Sequence, residues 1–93
     1  MSDWFVCTSW LETHKAEVHF EIANEDGDQF FFSVSSDDIS THIKYQGEDA
    51  LDTFRYAEDD MLSLAVALID DDYCEEGQNF HVTRSLFKRY FVS

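Results

Sequence analysis

Between Ala16 and Ile22 apolar and polar residues alternate without a break: Ala16, Val18, Phe20 and Ile22 against Glu17, His19 and Glu21. A period of two puts the two sets on opposite faces of a β-strand, so this stretch is buried on one side only. Phe30, Phe32 and Val34 repeat the pattern. The intervening Asn24-Glu25-Asp26-Gly27 supplies residues that tolerate left-handed backbone, and the two runs are predicted to pair as an antiparallel hairpin. Phe31 then falls on the face opposite Phe30 and Phe32. It is either covered by the N-terminal segment Trp4 to Leu11, as a third strand, or left at an interface.

A hairpin with one greasy face needs a second layer, and the remaining sequence offers helices. Ser35-Ser36-Asp37-Asp38 has the capping hydroxyls and first-turn carboxylates of a helix start, followed by Ile39 and Ile43, and this short helix is expected to end near Gly47. From Glu48 to about Asp71 there is no Gly or Pro, and Leu51, Phe54, Met61, Leu62, Ala65, Leu68 and Ile69 lie on one stripe at helical spacing. One long amphipathic helix is predicted there, about 36 Å if continuous. Asp70-Asp71-Asp72 opposes the dipole at its end and should stop it. Gly77 leads into a short strand, Phe80-His81-Val82-Thr83, and Thr83 can cap a last helix with Leu86, Phe87, Tyr90 and Phe91. The fold class is therefore α+β: a small, mostly antiparallel sheet, made of the hairpin plus one later strand, packed by one long amphipathic helix and short helices. Its 93 residues, 44% hydrophobic with fifteen aromatics, suit a single compact domain over 1–93 and are far from a disordered acidic tail.

The charge on that frame is lopsided. Twenty acids face six bases, for a net charge of −14, and the stretch Glu48 to Glu76 holds eleven carboxylates against Arg55 alone. Such a field repels nucleic acid and anionic membrane and favours basic protein surfaces. The start Met-Ser-Asp-Trp-Phe lacks a secretory signal pattern and no apolar run reaches the ~20 residues of a membrane span, which points to the cytoplasm. Cys7 and Cys74 have no metal or redox spacing and read as two free, mostly buried thiols. After Glu76 only bases occur, Arg84, Lys88 and Arg89, and their attraction to the acidic helix is preferred over a separate anion site.

No nucleophile elbow, phosphate loop, His-Glu-x-x-His or Cys-x-x-Cys is present, so no catalytic residue is assigned and no cofactor is implied. Asp70, Asp71, Asp72, Glu75 and Glu76 do not follow a calcium-loop pattern. Asn24, Asp26 and Asp28 alternate, but Gly27 comes too early and the closing Glu is missing. His14, His19, His42 and His81 are scattered singly, although His19 and His81 could share a sheet face. Glu58 projects between Leu51, Leu62 and Ala65 on the helical wheel, where a lone carboxylate is costly. A boundary ion pair with Arg55 is preferred there over a contact with a partner.

The segment Ala50 to Met61 (Ala-Leu-Asp-Thr-Phe-Arg-Tyr-Ala-Glu-Asp-Asp-Met) is followed by Ala-Leu-Ile-Asp-Asp-Asp-Tyr-Cys-Glu-Glu-Gly and Phe-His-Val-Thr-Arg-Ser-Leu-Phe. Together with Gly27-Asp28-Gln29-Phe30 and Val34-Ser35-Ser36-Asp37-Asp38-Ile39, it resembles a family of small bacterial domains of unknown function, the one numbered fourteen eighty-eight. The resemblance runs from about Lys15 to Phe87 and is carried by apolar and acidic positions. It implies a compact α+β fold in a small cytoplasmic bacterial protein, and it brings no activity and no functional residues. Trp4 to Leu11 does not match it.

Two functional readings follow. The first is a non-enzymatic interaction or regulatory module that binds a protein partner with a basic surface. The acids Asp49, Asp52, Asp59, Asp60, Asp70, Asp71, Asp72, Glu75 and Glu76 would face that partner, and Phe31, Glu58, Trp4 and Tyr90 would serve as interface residues of a homodimer. The alternative is an inhibitor of the anti-restriction or anti-CRISPR type that mimics DNA, with Asp52, Asp59 and Asp70 near one line of the long helix and Asp49, Asp60 and Asp71 beside it. The acid-free stretch Met61 to Ile69 interrupts that line.

Overall fold

The computed structural model describes residues 3–44 and 46–91, and Met1 and Ser2, at the start of the N-terminal segment discussed above, lie outside them. Four strands form one mixed sheet in the order β1-β2-β3-β4: β1 (Trp4–Glu12), β2 (Glu17–Asn24), β3 (Gln29–Ser35) and β4 (Asn79–Val82). The first three are antiparallel neighbours, and β4 lies parallel to β3. A parallel neighbour needs a crossover. It is supplied by α1 (Ser36–His42), α2 (Ala50–Tyr56) and α3 (Glu58–Asp70), and α4 (Arg84–Tyr90) follows β4. The protein is thus α+β, with its longest helix packed against the sheet.

The predicted alternation is realised across three strands. Val18, Phe20 and Ile22 stand opposite Val34, Phe32 and Phe30, and Phe32 and Val34 stand opposite Phe80 and Val82, all on the inner face. Phe20 stacks on Phe32 at 5.2 Å between ring centroids and meets Phe54 of α2 at 4.9 Å, which ties sheet to helices. Met61, Leu64, Ala65 and Leu68 of α3 and Phe87 of α4 complete a dry core. The segment Trp4 to Leu11 is a strand, β1, beside β2 in the sheet, with a bulge at Cys7. It therefore extends the sheet instead of covering Phe31, which stays half-buried on the outer face.

The turn between β2 and β3 is organised by Asn24, which is almost wholly buried. Its Oδ1 accepts the backbone N–H groups of Asp26 and Asp28, both at 3.0 Å, and its Nδ2 donates to Asp28 Oδ2 at 3.1 Å. Gly27 takes the left-handed backbone, φ +88°. Ala16, read from the alternation as the first strand residue, is instead the last residue of the β1–β2 turn at φ 51°. There its carbonyl accepts the Ser36 N–H at 2.8 Å, a tertiary bond that the alternation does not reveal.

The single long helix expected over Glu48 to Asp71 is two helices, broken at Ala57 (φ −101°, ψ 24°) with no Gly or Pro. The Ala57 N–H reaches back to the Phe54 and Thr53 carbonyls, closing α2, while its own carbonyl accepts the Met61 N–H at 2.9 Å and opens α3. The break places Glu58, Asp59 and Asp60 in the first turn of α3, where the helix dipole favours negative charge. In one continuous helix the same three carboxylates would have sat mid-helix without that benefit. Glu58 is accordingly a half-buried first-turn residue of α3, and among the described residues it forms no ion pair with Arg55, which is exposed.

The first short helix ends at His42, earlier than Gly47. Gly47 serves another purpose, since a Cβ there would run into the Asp52 carboxylate. α3 stops at the aspartate run as expected. Asp72 adopts φ 64°, and the N–H groups of Asp72 and Tyr73 bond the Ile69 and Leu68 carbonyls at 3.0 Å each. This is the Schellman closure, with Asp in the place usually taken by Gly.

Two stability outcomes follow. Phe20→Ala removes the ring shared by sheet and helix and should cost about 3–5 kcal/mol, a large share of the about 5–15 kcal/mol total expected for a domain. Ala16→Gly relieves the left-handed strain and should gain about 0.5–1 kcal/mol. Urea unfolding of the two variants beside the parent chain measures both.

Candidate functional site

The acids separate into groups with different duties. Asp49 and Asp52 cap α2: Asp49 Oδ1 accepts the Asp52 N–H at 2.9 Å, and Asp52 Oδ2 accepts the Glu48 N–H at 3.1 Å. Beside them Thr53 Oγ1 accepts the Gly47 N–H at 2.9 Å and donates to the Asp49 carbonyl at 3.1 Å. Asp59 and Asp60 occupy the first turn of α3 with Glu58. Asp49 and Asp52 are explained by satisfying a helix end, and the three acids of α3 by its dipole alone, since its start has no side-chain cap. With the helix broken, Asp52 leaves the helical line that Asp59 and Asp70 still share in α3.

A second group gathers at one end of the sheet. The loop after α3 is pinned to the β2–β3 turn by the Gly77 N–H, which donates to the Gln29 carbonyl at 2.9 Å. This brings Glu76 beside Asp28, and the hydrogen bond between the two carboxyl groups, with the repulsion of the neighbouring charge, pushes Glu76 above the usual carboxylate range. On the same end Trp4 stands opposite Asn24, and Asp70 lines a depression beside Trp4 with Asp3. Asp72, Glu75 and Glu76 are exposed. Among the described residues none of Asp28, Asp70, Asp72, Glu75 and Glu76 pairs with Lys or Arg. Asp71 differs, because its Oδ2 accepts the Tyr90 hydroxyl at 2.5 Å, and this bond is the main reason the phenol is pushed up to about 12.

The basic tail does not answer this end. Arg84 Nε donates to Asp38 Oδ1 of α1 at 2.7 Å, where Asp38 is buried, so the attraction expected toward the acidic helix is directed to α1 instead. Arg89 lies over the Tyr90 ring at 5.7 Å. Of the aromatic residues considered for an interface, Trp4 packs edge-on against Phe30 at 5.7 Å and Tyr90 against Tyr73 at 6.1 Å. Phe31 remains on the outer face of the sheet.

That outer face carries the second constellation. His19 and His81 do share it: His19 Nε2 lies 3.1 Å from Glu17 Oε1 and His81 Nδ1 3.5 Å from Glu17 Oε2, with Ser33 Oγ 3.1 Å from the same His81 nitrogen. Trp10 stacks on the His19 ring at 5.4 Å. The alternation that buries Val18 and Phe20 already placed Glu17 and His19 on this face. What it lacked was the partner strand, β1, that brings Trp10 and Glu12 there.

Among the described residues no group of three or more His, Cys, Asp or Glu could hold a metal ion, and no helix is long and apolar enough to cross a membrane. Cys7 is exposed, contrary to the buried thiol expected, because it occupies the bulge of an edge strand. Cys74 is half-buried, and burial pushes its thiol up to about 11. The two are free thiols. Compared with known protein families, with characterised proteins and with solved structures, the chain finds no match.

The Asp28–Glu76 contact yields a pH prediction. A carboxyl with a raised value in the folded chain binds its proton more tightly there than when unfolded, so the pair costs stability above its titration and the cost disappears as pH falls through it. Glu76→Gln should therefore raise Tm at about pH 7.5, with the gain shrinking toward about pH 4.5 as Glu76 takes up its proton. Thermal unfolding at the two pH values tests this, and an equal gain at both would contradict it.

Proposed function

We propose that this protein is a non-enzymatic interaction module whose acidic end binds a basic surface on a protein partner. The observation that carries the reading is the pole built from the β2–β3 turn and the loop after α3. There Asp28, Asp70, Asp72, Glu75 and Glu76 lie toward the same end without a Lys or Arg partner among the described residues, and Asp28 beside Glu76 raises it. Carboxylates held together against their own repulsion favour a cation brought from outside. Glu75 and Glu76 and the aspartates at the end of α3 thus have a claim to partner contact that Asp49 and Asp52, occupied with capping, lack.

The mimicry of DNA draws less support. The break at Ala57 takes Asp52 off the line that Asp59 and Asp70 keep in α3, and the acid-free stretch Met61 to Ile69 separates those two by far more than the few-ångström repeat of phosphates. The aromatic excess that favoured a homodimer is largely used within one copy, by Trp4 on Phe30 and Tyr90 on Tyr73 and Asp71. The family resemblance rests on the residue pattern alone and brings no activity to this reading.

The test is a pull-down read by mass spectrometry at about 0.05 M and about 0.5 M salt, since screening weakens exposed charge contacts most. A basic protein should be retained at low salt, released at high salt, and lost from a D72N/E75Q/E76Q variant. Retention indifferent to both salt and variant would remove the proposal.

A further inference from the structure

The outer face of the sheet has a composition that its own fold does not require. The described residues place no helix over it, and Phe5 and Trp10 stand exposed. Its acids are Glu12, Glu17 and Glu21, and Glu12 is directly opposite Glu17 across β1 and β2. Like charges in facing positions destabilise a sheet, and here they are answered only by weak partners that an arginine would replace: His19 and His81 beside Glu17, and the His14 N–H on Glu12 Oε1. Between the carboxylates lie flat rings. Trp10 is stacked on His19, two residues along from Glu17, and Phe31 stands directly opposite Glu21. Trp10, His19, Phe31, Gly77 and Asn79 line a shallow cavity of about 380 Å³. That is near the lower end of the about 300–1,000 Å³ of small-ligand sites and suits a single long side chain.

We propose that this face binds an extended segment of a partner protein carrying two arginines four residues apart, laid along β2. Glu17 and Glu21 are separated by four strand steps, about 13 Å, and an extended ligand presents its positions i and i+4 on one side at the same spacing. Arginine fits better than lysine because its planar guanidinium can lie on the Trp10 or Phe31 ring while its N–H groups fork onto a carboxylate. A second copy of this chain fits poorly, since it would bring Glu12, Glu17 and Glu21 against the same three residues while each chain carries a net charge of −14. The inference rests on the reading that the partner is basic, and it adds which face reads the sequence of the cations.

The probe is a capped peptide, Arg-Thr-Ser-Thr-Arg-Thr-Ser-Thr-Arg, titrated into the full chain and followed by two-dimensional amide NMR. A peptide of identical composition with its three arginines contiguous is the control. The expected result is shifts centred on Trp10, His19, Glu21 and Phe31, with the control bound about fivefold more weakly. E17Q/E21Q should weaken the spaced peptide by about tenfold, and W10T by about fivefold, through loss of charge-assisted bonds and of the stacking surface respectively. D72N/E75Q/E76Q should weaken it far less than E17Q/E21Q does, because Glu76 adjoins the cavity only through Gly77 and exposed charges without direct contact are screened. Shifts centred on Asp72 to Glu76, or loss of binding in the pole variant alone, would overturn this inference and leave the basic-partner reading standing. Equal binding of the two peptides would overturn the spacing, and failure of both peptides to bind would overturn the site.

Discussion

The stack of Phe20 on Phe32, with Phe54 of α2 against it, is the contact on which the rest of the molecule depends. It joins the central hairpin to the helical layer and sets which face of the sheet is dry. Once Phe20 and Phe32 face inward, the period of two sends Glu17, His19, Glu21 and Phe31 to the opposite side. The parallel placing of β4 follows from the same demand. Phe80 and Val82 must lie beside Phe32 and Val34, and the chain reaches that position only after the helices have crossed the sheet.

Burial on one side leaves a small domain with much surface for its volume, and this chain fills that surface with carboxylate. The fold manages the charge in three ways. Some acids cap helices or occupy first turns, as Asp49, Asp52, Glu58, Asp59 and Asp60 do, where backbone N–H groups or the dipole stabilise them. Asp38 is buried against Arg84, and Asp71 accepts the Tyr90 hydroxyl. The remainder accumulate at the pole and on the outer face, where Asp28 meets Glu76 and Glu12 faces Glu17 at a cost to the monomer. The binding proposals rest on that remainder, which no Lys or Arg answers among the described residues, and not on net charge as such.

The hairpin, its turn at Gly27, the start of α1 at Ser35 and the cap of α4 at Thr83 were all legible because each is decided by neighbours in the chain. The break at Ala57 was less so. The apolar stripe runs on through it, since buried Phe54 and Met61 are seven residues apart and keep nearly the same helical phase across the gap. The signal that could have revealed it was the run Glu58-Asp59-Asp60, which is a first-turn signature in the middle of an apparent helix. Glu58 keeps its place beside Leu62 and Ala65 within α3, and what the break changes is that it stands in a first turn instead of pairing with Arg55.

From residue order alone follow the alternation, the α+β class, the capping residues and the sign of the electrostatic field, because local periodicity and composition control them. Which charges meet was decided by tertiary structure. Asp28 and Glu76 are 48 positions apart in the chain, as are Ser33 and His81, and they touch because a loop is pinned to a turn and β4 is laid against β3. Trp10 likewise joins His19 only when β1 takes its register on β2. Pairing of this kind depends on closing long loops against a shared core, and no window along the sequence contains both halves of such a contact.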